Sequence, residues 1–158
     1  MEPPSRSPIS IVNKSGKRAP TSLLVCALET TLAKHGRSAD VCILLTDDEE
    51  MRRLNLQFRG LDESTDVLSF PSGEFSGGSL GDIAISVPYA ERQAAARGVS
   101  LSQELGYLAI HGALHLLGFE DETDEQRAEM VEKMNAVALL AGLKPDRKWA
   151  SILHGAVR

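Results

Sequence analysis

A leucine-rich stretch between Ser100 and Gly118 constrains the fold of this chain more than any other part of its sequence. Ser100 and Gln103 form a capping box, the pattern that typically begins a helix. Gly118 stands where a helix of this length ends on a residue with left-handed backbone angles. Leucines recur between these ends at helical intervals, at Leu101, Leu105, Leu108, Leu114 and Leu117. The stretch is therefore predicted to be one helix.

Two histidines lie inside this predicted helix. His111 and His115 are four residues apart, and four residues turn a helix by about 400° and advance it by about 6 Å. Both imidazoles therefore point the same way, one turn apart, which is the spacing at which two neutral imidazoles hold one metal ion. Two core histidines with other hydrogen-bond partners are the competing interpretation, and the pair alone does not separate the two.

The turn after the helix offers a third ligand. If Gly118 reverses the chain, the acidic side chains that follow it swing back towards the histidines, and Glu120, Asp121 and Asp124 are the candidates. The spacing H-x3-H-x2-G-x2-D matches the long zinc signature of metzincin proteases, with a carboxylate in place of the third histidine. This register favours Asp121. Most of the other acids are explained by the next helix, whose first turn they would stabilise.

Gly112 argues against a protease. Zinc proteases carry a glutamate directly after the first histidine as the general base, and this chain has glycine there. A metal without an adjacent glutamate still acts as a Lewis acid and activates water. Such a centre suits a substrate with charged oxygens, for example a phosphodiester, whose transition state needs cations more than a base. A metallopeptidase remains a disfavoured alternative.

Strand and helix patterns alternate upstream of this helix. Strands are predicted at residues 9–13, 41–45, 65–70 and 82–87, with a glycine-rich loop over 72–81. Helices are predicted to begin at Pro20, Thr46 and Pro88 and after Thr123. Two helical crossovers make the first three strands parallel, and the direct loop makes the fourth antiparallel. The predicted class is α+β, a small mixed four-stranded sheet (three parallel strands, one antiparallel) with packed helices.

Composition narrows the possibilities further. The chain has 158 residues, enough for one domain, and a formal net charge of −5, which excludes a generally basic nucleic-acid wrapper but not a local basic patch. Cys26 and Cys42 lie in apolar runs and are expected to be buried, reduced thiols. Neither a signal peptide nor an apolar run long enough to span a membrane is present. We therefore expect a soluble, cytoplasmic protein.

Four motifs follow one another along the chain: LNLQFRG at residues 54–60, STDVLSFP at 64–71, LGDIAIS at 80–86 and HGALHLLGFED at 111–121. Together they resemble the motifs of the YbeY family, a bacterial metal-dependent endoribonuclease and ribosomal-RNA maturation factor. The resemblance runs from about Ser10 to Leu143. It implies a single domain over residues 9–143, a polar tail over 1–8 that we expect to be disordered, and an extension over 144–158. Trp149 and His154 lie in that extension, and the sequence assigns them no function.

The resemblance also implies a zincin-like site with one zinc ion, held by His111, His115 and the residue after the glycine turn. The family has histidine where this chain has Asp121. Aspartate is a competent zinc ligand, but it lowers the net charge of the site by one unit. We therefore expect a less acidic bound water and some tolerance for harder divalent metals such as manganese.

The activity that the resemblance implies is single-strand-specific cleavage of RNA, acting in 3′-end maturation of small-subunit ribosomal RNA and in ribosome quality control. The expected partners are ribosomal RNA and the small ribosomal subunit, with no membrane and no DNA. Arg59 would be the electrostatic partner of the scissile phosphate, although an arginine before Gly60 also stabilises a helix end. A non-catalytic ribosome-assembly factor with a structural metal is the alternative, because closed and open zinc sites share ligand types.

Overall fold

The computed structural model describes residues 8–72 and 79–150. Residues 1–7 of the expected tail, residues 73–78 of the predicted loop and His154 lie outside the described residues. The strands are β1 (Ile9–Asn13), β2 (Asp40–Thr46), β3 (Val67–Pro71) and β4 (Ser79–Ser86). The helices are α1 (Thr21–Lys34), α2 (Asp48–Arg59), α3 (Val87–Arg97), α4 (Leu101–Leu116) and α5 (Asp124–Leu140).

The described strands form one mixed sheet in the order β1-β2-β4-β3. Strands β1, β2 and β4 are parallel, and β3 is antiparallel to β4. The α+β class with three parallel strands and one antiparallel strand is thus confirmed. The prediction that the fourth strand is the antiparallel one is wrong, because β3 runs opposite to the others. The longer β4 pairs on both sides and lies between β2 and β3, and this position, which the connections alone do not fix, sets the direction of β3.

Strand β4 also begins earlier than the sequence predicts. The glycines of residues 72–81 indicate a loop, but the backbone NH of Ser72 donates to the carbonyl of Leu80 at 3.0 Å and Gly81 pairs with Pro71. The two-stranded ladder therefore continues through part of the predicted loop. At its other end β4 stops at Ser86, whose hydroxyl accepts from the NH of Tyr89 and caps α3.

Helix α4 is the core of the fold. Nearly every residue from Gln103 to Leu116 is buried, and α4 packs against α1, α3 and α5 as well as β3 and β4. The predicted ends are confirmed: the side chain of Ser100 accepts from the NH of Gln103 at 3.0 Å, and Gly118 has φ of +99°. A helix enclosed on so many sides is held rigidly, which fixes the direction of its Cα–Cβ bonds.

The two faces of the sheet are covered unequally. The main core, which includes α1 and α4, lies on one face with Ile43, Ile83 and Ile85, whereas α2 packs on the other face over Leu68 and Ala84. Because α2 covers mainly the β3 and β4 side, alternate residues of β2 such as Cys42 are only half-buried. The expectation that Cys42 is buried is therefore wrong.

The expectation that Cys26 is buried is also wrong, since Cys26 is exposed. The buried face of α1 consists of Leu24, Ala27, Leu28, Thr31 and Leu32, which leaves Cys26 on the opposite side of the helix. An apolar run along a helix does not bury every residue in it, because one side still faces water.

Among the helices of the described residues, none combines the length and apolar character that a membrane crossing requires.

Candidate metal centre

The side chains of His111, His115 and Asp121 converge at the C-terminal half of α4. The two histidine Nε2 atoms are 3.1 Å apart, and Asp121 Oδ2 lies 3.5 Å from that of His111 and 3.3 Å from that of His115. Their side chains are 3, 5 and 5% exposed for His111, His115 and Asp121. The three residues that the sequence predicts as ligands are therefore brought together in one small, nearly dry space.

This triangle of donor atoms has the size that a tetrahedral metal requires. Zinc binds imidazole nitrogen and carboxylate oxygen at about 2.0–2.2 Å, and two such ligands at a tetrahedral angle are roughly 3.3 Å apart. The three observed separations, 3.1, 3.3 and 3.5 Å, scatter around this value. The donor set of two imidazoles and one carboxylate is also one that zinc and its divalent neighbours accept. The residues present therefore fit a metal ion.

The group holds three ligands in the part of the chain that the structure describes. Structural zinc sites are almost always closed by four protein ligands, whereas catalytic sites use three and leave the fourth position to water or substrate. Among the described residues, the group therefore has the number of ligands that catalytic zinc sites use.

The glycine turn and α5 position Asp121. The NH of Gly118 donates to the carbonyl of His115 at 3.0 Å, which closes α4 and reverses the chain. Arg127 then donates to the backbone carbonyls of Asp121 at 3.2 Å and Glu122 at 2.8 Å. One guanidinium on α5 thus holds the segment that carries the third ligand.

The other acidic candidates are not brought into the centre. Glu120 is exposed, and the carboxylate of Asp124 is 97% exposed and pairs with Arg127. Asp124 is the first residue of α5, next to the capping box of Thr123 and Gln126. The choice of Asp121 from the register of the turn therefore agrees with the structure.

Arg59 belongs to a different element from this group, at the end of α2. It is the half-buried last residue of α2 and is followed by Gly60 with left-handed backbone angles. Helix α2 packs on the sheet face opposite α4. The neighbouring Phe58 contacts Phe70 of β3 edge-on, with ring centroids 5.0 Å apart, so this end of α2 lies beside the edge strand.

Several other basic residues are engaged in ion pairs. The pairs are Arg52 with Asp62, Arg53 with Glu50, Arg92 with Asp48, Arg97 with Glu104 and Asp146, and Arg147 with Glu132. Each of these arginines has an acidic partner, which reduces the positive charge that it presents to a polyanion.

Trp149 is the residue at the centre that the sequence did not predict. Its ring is 5.0 Å from the ring of His111, centroid to centroid, and its indole NH donates to the carboxylate of Glu104 at 2.8 Å. Glu104 is 1% exposed, and burial raises the pKa of its carboxyl group, although the bond from Trp149 and the charge of Arg97 act in the opposite direction. A single tryptophan in a polar extension was the one available signal.

A family model described as Endoribonuclease YbeY matches residues 10–141. The chain belongs to the YbeY family. The resemblance drawn from the four motifs is thereby confirmed, and the match covers most of the helices and strands described above, including the three converging side chains.

Relatives of the YbeY family match over most of their length. The chain is 41% identical over 143 residues to Endoribonuclease YbeY of Pelotomaculum thermopropionicum, covering 82% of this chain and 94% of the relative. It is 39% identical over 149 residues to Endoribonuclease YbeY of Caldanaerobacter subterraneus, covering 84% and 92%. The solution structure of TM1509 from Thermotoga maritima matches with a TM-score of 0.58 and 31% identity, over 84% of this chain and 90% of that one.

Proposed function

We propose that this chain is a metal-dependent endoribonuclease. The single observation that carries the proposal is the three-ligand group of His111, His115 and Asp121, whose spacing suits one divalent ion. The name of the matching family, endoribonuclease, supports RNA as the substrate class. When bound, the ion supplies Lewis-acid chemistry towards a phosphodiester.

The chain's own contribution is positioning. Helix α4 holds the two imidazoles one turn apart, and the turn after Gly118, held by Arg127, presents the carboxylate. Burial of the three side chains excludes bulk water from the ligand atoms and strengthens their electrostatic interaction with a cation. With glycine at position 112, proton removal from water does not rely on an adjacent glutamate.

We assign zinc as the metal, with tolerance for manganese because Asp121 replaces a neutral ligand by a charged one. Elemental analysis of protein purified without added metal tests this assignment. Zinc near one equivalent supports it, and a preparation that retains only another metal contradicts it.

Arg59 is proposed to steady the scissile phosphate from the edge of β3. Loss of one electrostatic contact of this kind costs on the order of 10²–10³ in turnover. Arg59→Lys should be nearly as damaging as Arg59→Ala, because a point charge does not replace a bidentate fork. If Arg59→Ala cleaves RNA as well as the wild type does, Arg59 has no role at the scissile phosphate.

The proposed substrate is single-stranded RNA at the 3′ end of small-subunit ribosomal RNA, with the small ribosomal subunit as partner and the cytoplasm as compartment. This finer proposal rests on the family resemblance. Comparison of a single-stranded fragment, the matching duplex and the intact subunit tests it. Preferential cleavage of the duplex contradicts it.

The central experiment compares metal-loaded and chelated protein on structured ribosomal RNA. Metal-loaded wild type should cleave, and chelated wild type and Asp121→Ala should not. Glu120→Ala is the matched control, because Glu120 is an exposed acid in the same turn and should leave cleavage unchanged. Undiminished cleavage by Asp121→Ala or by chelated protein overturns the proposal.

A structural metal in a non-catalytic assembly factor is the second candidate, and the burial of all three ligands favours it. Cobalt substitution separates the two, because an open fourth position changes its visible spectrum when a small anion such as azide is added. A spectrum insensitive to added anions, together with no RNA cleavage, supports the structural role.

A further inference from the structure

The described part of the C-terminal segment beyond α5 reaches the metal centre with the side chain of Trp149. Trp149 is 3% exposed, and its ring lies between the ring of Tyr107, 6.1 Å away, and that of His111, 5.0 Å away. These centroid distances are those of direct aromatic packing. His111 is therefore contacted by Trp149 and also by His115, at 4.6 Å.

Helix α4 fixes the position of Trp149 through Glu104. Its indole NH donates to Glu104 Oε1 at 2.8 Å, and Arg97 donates to Glu104 Oε2, also at 2.8 Å. Arg97 pairs in addition with Asp146. One arginine and one buried carboxylate thus tie the tryptophan to α3, α4 and its own segment, with every partner inside or at the border of the core.

The same segment is held at its beginning. The hydroxyl of Tyr107 donates to the carbonyl of Lys144 at 2.7 Å, and Gln103 both donates to that carbonyl and accepts from the NH of Lys144. Residues 144–149 therefore dock along one side of α4, and the docked segment ends in the ring that packs on His111.

We propose that Trp149 is a positioning residue for the metal centre, whose ring fixes the orientation of the His111 imidazole. The terminal torsion of a histidine is broad, so the backbone of α4 alone does not set the direction of Nε2. Hydrogen-bonding groups that orient a metal-binding histidine change metal affinity by about 10–100-fold when they are removed, and a packed ring that restricts the same torsion acts in the same direction. The inference rests on the proposed metal centre but does not depend on RNA cleavage.

A reciprocal effect follows. If docking of Trp149 favours metal binding, metal binding must favour docking of residues 144–149 by the same factor. Trp149 is the only tryptophan of the chain, so its fluorescence reports on this contact without interference. Addition of zinc to metal-free protein should change its emission with the same dissociation constant that a competing chelator gives.

The test measures zinc affinity and the visible spectrum of the cobalt-substituted protein in the full chain. Trp149→Ala should bind zinc about 10–100-fold more weakly than the wild type and shift the cobalt bands. Trp149→Phe keeps an aromatic ring against His111 but loses the hydrogen bond to Glu104, so its zinc affinity should lie between those of Trp149→Ala and the wild type. Leu24→Ala is the control for general destabilisation, because Leu24 is a fully buried core residue of α1 and is not one of the three proposed ligands.

The outcomes separate this inference from the proposed function. Unchanged zinc affinity and cobalt spectrum in Trp149→Ala overturn the inference and leave the metal centre intact. An equal loss of affinity in Leu24→Ala also overturns it, because the effect then follows stability alone. A wild type that binds neither zinc nor cobalt overturns the proposed function as well.

Discussion

The hydroxyl of Ser69 on β3 donates a hydrogen bond to the backbone carbonyl of Gly112 on α4, at 3.0 Å. This bond joins the edge strand to the turn of helix between the two histidines. A Cβ atom at Gly112 would lie 2.9 Å from Ile83 Cγ2 and 3.1 Å from Ser69 Oγ. Helix and sheet approach this closely only because residue 112 has no side chain, so the position that carries a glutamate in zinc proteases has no room for one here.

Gly112→Glu should therefore destabilise the chain without creating a peptidase. Overpacking of this kind costs about 1–3 kcal/mol, with an added cost for a buried carboxylate. Urea unfolding measures the loss, and a casein assay should stay at background.

The double variant Gly112→Ala with Ile83→Ala should lose less stability than the sum of the two single variants, because the second change makes room for the first. Simple additivity, or peptidase activity in Gly112→Glu, contradicts the account.

Arg127→Met should weaken metal binding, although Arg127 is not a ligand. It removes the donor to the carbonyls of Asp121 and Glu122, so the carboxylate loses its fixed position. The expected loss of zinc affinity is about tenfold, within the range known for groups that orient ligands. Arg147→Met is the matched control, because Arg147 pairs with Glu132 on the exposed surface and should leave zinc affinity unchanged. A similar effect of both variants contradicts a role for Arg127.

Asp121→His should narrow the range of metals that the site accepts. The family resemblance places histidine at this position, and a neutral nitrogen ligand favours zinc over manganese more strongly than a carboxylate does. The ratio of manganese to zinc dissociation constants should therefore rise in the variant. Competition titrations of both proteins measure the ratio, and Asp121→Asn separates the loss of charge from the change of ligand atom. A ratio that stays constant or falls in Asp121→His contradicts this explanation.

Ionisation of the Asp48 carboxyl group should make the free energy of unfolding depend on pH in the acid range. Burial raises the pKa of this carboxyl group, but hydrogen bonds from Arg92, Ser86 and Ser64 more than offset that effect, and the pKa lies below its ordinary value of 3.8. Because the pKa of Asp48 is lower in the folded state than in the unfolded state, the ionised carboxylate stabilises the fold above pH 3.8. This stabilisation is lost as the pH falls through the pKa that Asp48 has in the folded state.

Asp48→Asn should accordingly lose stability relative to the wild type at neutral pH, and the difference should shrink as the solution is acidified below pH 3.8. Free energies of unfolding in urea across this range measure the effect. The pH dependence should also weaken in Arg92→Met, which removes two of the hydrogen bonds to the carboxylate. A difference between the wild type and Asp48→Asn that is constant with pH contradicts the prediction.

Much of the candidate site could be predicted because its signals are local. The helical spacing of His111 and His115 and the conformational freedom of Gly118 act within a few residues of one another. The register of the turn then indicates Asp121. One helix and one turn bring these side chains near one another, so the group could be predicted from the sequence, whereas the hold of Arg127 on the segment of Asp121 could not.

The direction of β3 and the role of Trp149 could not be predicted in this way. Both depend on contacts between distant parts of the chain: β4 pairs on both sides and separates β3 from β2, and Trp149 meets Glu104 across 45 positions. The sequence by itself determined the metal-binding helix, its turn and the helices and strands. The tertiary structure alone decided which strand is antiparallel and which aromatic ring packs on His111, because these depend on competition among packing partners that no short pattern records.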